Sequence, residues 1–171
     1  MKPQNHQVEI WPLQAEQWEI HKRIRLAALA DAPYAFTTRL ADVVTRPDQQ
    51  WMEITARRAG ESDGVTYFAA VAGEPCAMAA CILTELGAEM LAVWVAPAHR
   101  KLGVGQALVD YAHTWAIQRE ATTLIVGVYA DNQDAVTFYT RAGFRLTDAE
   151  RLDAQAKRRQ ILLMTMPLDA K

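Results

Sequence analysis

Apolar positions along this chain change period several times, and the changes mark its elements. Val8 to Trp11 reads as a first short strand. Trp18, Ile24, Leu26 and Leu29 then recur at helical spacing and predict an amphipathic helix over Glu16 to Ala30. Pro33 stops that helix, because the residue before a proline is pushed out of helical conformation. A second helix is expected from Pro47 to Arg58, with a proline that suits the first turn and Gly60 just past the end. Three strand-like runs follow, about Val65 to Val71, Cys76 to Glu85 and Glu89 to Val95. The breakers Gly73-Glu74-Pro75 and Gly87-Ala88 separate them, so they read as an antiparallel meander.

The helical period returns from Gly103 to Arg119 through Val104, Leu108, Tyr111, Ala112 and Trp115, and Thr123 to Tyr129 is β-branched and apolar. Asp134 to Ala142 predicts a short helix closed by Gly143. Phe144 to Leu146 and Ile161 to Met166 predict the last two strands, with the charged segment Asp148 to Arg159 read as a solvated hairpin connection between them. The order predicts one α/β (α+β) domain over residues 1–171, with a mixed, mostly antiparallel sheet of about seven strands flanked by about four helices.

Composition narrows what such a domain does. Apolar residues make up 51% of the 171 residues, enough for a real core. Lys and Arg total 18 against 20 Asp and Glu, which provides no global attraction to nucleic acid. No long apolar run suggests a membrane span, and the polar first ten residues lack a signal-peptide core, so a soluble cytoplasmic protein is expected. The cysteines, Cys76 and Cys81, have no zinc-site spacing. Five apart on a strand, they are expected on opposite faces, and no metal is expected.

The chemistry concentrates where a strand passes into a helix, from Val93 through Pro97, His99, Arg100, Lys101, Leu102, Gly103, Val104 and Gly105 to Gln106. A helix N-terminus presents unpaired N–H groups and a positive dipole end, and glycines let an anion approach them, so the junction reads as a phosphate site. It is not a P-loop, since Gly105 precedes Gln106 and Ala107 where lysine and a hydroxyl are required. It is not a dinucleotide fingerprint either: Leu108 replaces the third glycine, and Thr123 to Val126 replaces the ribose-binding acid.

These residues resemble the GNAT superfamily of acetyl-CoA-dependent N-acetyltransferases. Its core signature matches Arg100, Gly103 and Gly105 after Val95 and Pro97, and its second signature matches Asn132, Ala135, Phe138, Tyr139, Gly143 and Phe144. The likeness is densest from about Glu89 to Phe144, and the front third, which holds most of the substrate-specific surface in that family, matches less well. The resemblance implies a sheet splayed between its fourth and fifth strands, with the diphosphate of coenzyme A on the N–H groups from Lys101 to Gln106. The pantetheine arm would lie along the strand edge at Val93 and Val95, and Arg100 and Lys101 would attract the remaining phosphate.

Acetyl transfer needs a neutral amine, a donor for the developing oxyanion and a proton for the leaving thiolate. By resemblance these fall to Glu89 as base, directly or through a water, to the Val93 N–H and to Tyr139. Each has a plainer reading: Glu89 as a solvated acid after a turn, Tyr139 as a core aromatic, and Asn132 as a helix cap as well as a cofactor neighbour. Tyr34, Phe36 and Trp51 lie where the family builds its acceptor pocket, and each reads equally as core. The expected acceptor is the primary amine of a small molecule. A protein lysine or N-terminus, or an acyl-CoA sensor without turnover, are the competing readings, and a homodimer stays open.

Overall fold

The computed structural model describes residues 7–152 and 159–168. Its elements run β1 (Val8–Pro12), α1 (Trp18–Asp31), α2 (Asp48–Ala59), β2 (Gly64–Val71), β3 (Glu74–Thr84), β4 (Gly87–Val95), α3 (Val104–Ile117), β5 (Thr123–Tyr129), α4 (Gln133–Arg141), β6 (Arg145–Leu152) and β7 (Gln160–Pro167). Short 3-10 turns at Pro33–Ala35, Leu40–Asp42 and Pro97–His99 connect them. The seven strands form one sheet in the order β1-β2-β3-β4-β5-β7-β6, and only the β4–β5 pair is parallel.

Alternation along the central strands explains the two helical layers. Tyr67, Ala69, Ala77, Ala79 and Cys81 point to one face and pack with Val104, Leu108, Ala112 and Trp115 of α3. Phe68, Met78 and Trp94 point to the other, against Ile24 and Ala28 of α1. Leu29, Val43 and Trp51 then close the space between α1 and α2. With both faces covered, the middle strands are almost wholly buried.

Two bulges alter what simple alternation predicts. In β3 the register passes from Ala69↔Ala77 to Ala70↔Pro75, leaving Cys76 as the extra residue. Cys76 therefore shares the α3-side core with Cys81, which corrects the expectation of opposite faces. In β4 the register passes from Met78↔Trp94 to Ala80↔Leu91, and Ala92 takes a φ of 51° at that irregularity. The second correction concerns β6. It runs to Leu152 rather than stopping near Leu146, so part of the segment read as a hairpin connection is strand. As the outermost strand of the sheet it is exposed at nearly every position and shows no apolar period.

β4 and β5 pair only over Ala88–Met90 and Leu124–Val126, then part. Beyond that point the facing edges of Leu91–Val95 and Gly127–Tyr129 are left without each other, and a cleft of about 390 Å³ opens between them. Gly87 permits the close approach at the root of this fork: its φ is 140°, and a Cβ there would lie 2.4 Å from the Thr123 carbonyl oxygen.

Candidate active site

The candidate anion cradle is the strand-to-helix junction after β4. Gly103 has a φ of 84° and caps α3, while Lys101 is also left-handed at 63°. The first helical N–H to bond back is that of Ala107, to the Gly103 carbonyl at 3.0 Å. The N–H groups just before it therefore have no intrahelical acceptor, and among the described residues none of those from Lys101 to Gln106 donates to a backbone carbonyl outside a helix or strand ladder. An oxyanion group fits there. Gly105 has a different reason for its missing side chain: a Cβ would sit 3.1 Å from the Phe138 ring, so this glycine lets α4 pack closely on α3.

Arg100 is largely committed elsewhere. Its Nε donates to the Val95 carbonyl at 3.0 Å and its Nη2 to the Asp31 carboxylate, which also accepts from the Trp94 indole at 2.9 Å. Arg100 thus ties the end of β4 to the end of α1 and orients the loop. Asp31 carried no signal in the sequence, because its partners lie 63 and 69 residues away. Lys101 and Leu102 are exposed at the cradle, and Val104 is buried beneath it.

Glu89, Val93, Asn132 and Tyr139 meet in the cleft, so the fork gathers most of the residues expected to act. Glu89 is 6% exposed and both its oxygens accept from Arg151 of β6, at 2.7 and 3.1 Å. Arg151 is thus a site residue that sequence reasoning missed, hidden in the segment read as solvated loop. The Glu89 hydrogen bonds raise the Arg151 guanidinium above its ordinary value and keep it charged. Val93 follows the β4 bulge and has no register partner on β3. Val95 pairs with Ala77, and its carbonyl holds Arg100. Asn132 caps α4 by accepting from the Ala135 N–H at 3.2 Å, and it also lines the cleft.

Tyr139 is 5% exposed, and burial pushes its phenol well above the ordinary value of 10. It stays protonated at neutral pH and donates a hydrogen bond more readily than it gives up a proton. Burial also pushes the Cys81 thiol up to about 12 and raises Cys76, so neither cysteine supplies a thiolate.

The three aromatics expected at the acceptor pocket separate. Phe36 lines the cleft. Trp51 is 1% exposed and packs against Leu29 and Val43, away from the cleft, which makes it core rather than an acceptor contact. Tyr34 is 57% exposed, and its backbone carbonyl accepts from Arg159 Nη1 at 2.6 Å. Arg159 also donates to Asp131 at 2.5 Å and lies over the Tyr129 ring at 3.7 Å. It thereby links the loop after α1 to the loop before α4. A solvated connection was expected there, and an arginine bridging two loops is found.

Among the described residues no group of His, Cys, Asp and Glu could hold a metal, and no helix is long and apolar enough to cross a membrane.

Comparison with known proteins agrees with this geometry. The chain is 36% identical over 62 residues to the peptidyl-lysine N-acetyltransferase YiaC of Escherichia coli (strain K12), a match that covers 36% of this chain and only 39% of YiaC. It superposes on nourseothricin acetyltransferase with a TM-score of 0.58 and 30% identity, covering 63% of this chain and 67% of that one. The spermidine N-acetyltransferase of Vibrio cholerae, solved with CoA and spermine, shares the fold at a TM-score of 0.75 and 12% identity over 95% of this chain and 96% of the other. Residues 16–144 match the Acetyltransferase (GNAT) family. The fork between β4 and β5 and the paired signatures fall within that match, and the chain belongs to the GNAT family.

Proposed function

We propose that this protein transfers the acetyl group of acetyl-CoA to the primary amine of a small molecule, by direct attack with donor and acceptor bound together. The observation that carries the reading is the fork between β4 and β5, which opens one cleft onto Glu89, Val93 and Tyr139 together. Direct transfer is supported by the two buried, protonated cysteines, which offer no nucleophile for an acyl-enzyme. A small acceptor is supported by the size of the cleft, about 390 Å³, which falls in the range of small-molecule sites.

Bound acetyl-CoA supplies an activated thioester. The N–H groups from Lys101 to Gln106 hold its diphosphate, with Gly103 setting their direction, and the free edge at Val93 takes the pantetheine arm. An alkylammonium with a pKa near 10.4 is about one part in 2,500 neutral at pH 7, so attack needs a proton acceptor. Glu89 fills that role, directly or through a water: Arg151 occupies one site on each carboxylate oxygen, and a carboxylate has about four. The Val93 N–H donates to the carbonyl oxygen as charge develops there. Tyr139, protonated in its buried site, donates to the departing sulfur.

Likeness to YiaC favours a second reading, with a peptidyl lysine as acceptor. Thiol release from acetyl-CoA, measured against a panel of small primary amines and a lysine peptide with products identified by mass spectrometry, separates the two. Amine-dependent release with an N-acetylated small product is expected. Acetylation of the peptide alone, or hydrolysis that ignores every amine, overturns the proposal.

A further inference from the structure

Among the described residues, one cation of the cleft, Arg25, forms no ion pair. Glu89 and Arg151 satisfy each other at one end, and Arg159 is held by Asp131 and the Tyr34 carbonyl. Arg25, in the middle of α1, lies over the Phe36 ring with its guanidinium carbon 4.9 Å from the ring centroid. Its Nη1 is buried, and among the described residues it has no hydrogen-bond partner. The charges acting most strongly on it are also cations, Arg58 and Arg46. Burial, followed by Arg58 and Arg46, pushes Arg25 down to about 10, and it remains charged at neutral pH. Glu61 lines the adjoining cavity but forms no ion pair with Arg25 among the described residues.

Arg25 also stands at a junction. It lines both the main cleft and a second cavity of about 120 Å³, and Leu91 and Ala92 of the β4 bulge border both. A buried guanidinium nitrogen without a hydrogen-bond partner is costly unless an anion satisfies it, and the planar fork matches a carboxylate. We propose that Arg25 is the centre of an anion subsite that seats a carboxylate on the acceptor, making the acceptor a small amino carboxylate. This inference rests on the acetyl-transfer reading, since it places the acceptor amine beside Glu89. Glu89 and Arg25 both line the cleft and form no ion pair with each other among the described residues, so an acceptor that carries its amine and its carboxylate at opposite ends can address both. A polyamine would instead bring a second positive charge against Arg25.

The test uses ω-amino carboxylates from β-alanine to 6-aminohexanoate, their carboxamides and the matching diamines. Each is titrated calorimetrically into the full-length protein saturated with CoA, and each is assayed for thiol release from acetyl-CoA. The best amino carboxylate is expected to bind about ten- to a hundredfold more tightly than its amide, the usual range for a charge-assisted pair. Arg25→Gln is expected to bring that ratio close to one, and Arg25→Lys to restore part of it. Equal binding of carboxylate and amide by the wild type, or a ratio unchanged in Arg25→Gln, overturns the inference even if amines are acetylated. Arg25-dependent carboxylate binding without thiol release from any amine supports the subsite and sinks the transfer reading instead.

Discussion

Replacing Gly103 with alanine probes the cradle where its backbone is most constrained. The residue sits at a φ of 84°, and an added Cβ would meet nothing within 4 Å, so the substitution brings no clash. What remains is conformational: left-handed backbone costs a residue with a Cβ about 1–2 kcal/mol. That strain can surface in two ways. If the loop keeps its shape, the free protein melts lower by about 2–4 °C per kcal/mol for a chain of this size. If the loop relaxes when empty, binding must restore it, and the Kd for CoA rises about five- to thirtyfold for the same energy. Both losses lie on one thermodynamic cycle, so at fixed saturating CoA the full amount appears whichever dominates. Thermal melts with and without CoA, combined with calorimetric Kd values, measure every leg. Unchanged melting of the CoA-saturated variant would refute the reasoning. Lys101→Gly relieves a φ of 63° but frees the unfolded chain by about 0.5–1 kcal/mol, so the melting temperature of the free protein should rise by less than Gly103→Ala lowers it.

Tyr139→Phe is expected to lower turnover by about a hundredfold while leaving CoA affinity nearly unchanged, and equal turnover would remove its role at the sulfur. Arg151→Met strands the buried Glu89 carboxylate and should cost about 2 kcal/mol, between the values for exposed and buried pairs because Arg151 is itself 43% exposed. Adding Glu89→Gln should return much of that stability, and additive losses in denaturant titrations would contradict the coupling. Glu89→Gln alone should slow transfer most at low pH, where the amine is charged, so an unaltered pH–rate profile excludes Glu89 as base. His21 is 3% exposed and bonded to Thr55, and burial, followed by Arg58, Arg25 and Arg46, lowers it from 6.5 to about 4. Its folded value is the depressed one, so its contribution is complete above pH 6.5 and is lost as pH falls towards 4, about 3 kcal/mol in all. His21→Gln should flatten that part of the urea stability profile, and a profile of the same slope would count against it.

The parts legible in the sequence are those governed by local rules. Gly103 and Gly105 mark the entry to α3, and the Asn132 to Phe144 signature marks α4 and its cap. Even there the sequence is silent on why each glycine is required. Gly103 answers to its backbone angle and Gly105 to the Phe138 ring. Arg151 stayed hidden because β6 is an exposed edge whose charged run looks like a loop. The bulges at Cys76 and near Ala92 sit in strands buried on both faces, where an extra residue leaves no break in an already continuous apolar run. Asp31 and Arg25 are polar residues on a helix, and only the folded chain shows that one binds Trp94 and Arg100 while the other faces a cavity with a buried nitrogen that has no hydrogen-bond partner among the described residues. Trp51 carried the opposite ambiguity, and packing against Leu29 and Val43 resolved it as core.

The central claim is that backbone amides at the start of α3 hold the diphosphate of CoA. Amide chemical shifts followed by NMR during titration with CoA, and separately with pantetheine, test it most directly. The amides from Lys101 to Gln106 are expected to move strongly with CoA and hardly at all with pantetheine, while Val93 responds to both. Saturable CoA binding that leaves those six amides in place would contradict it.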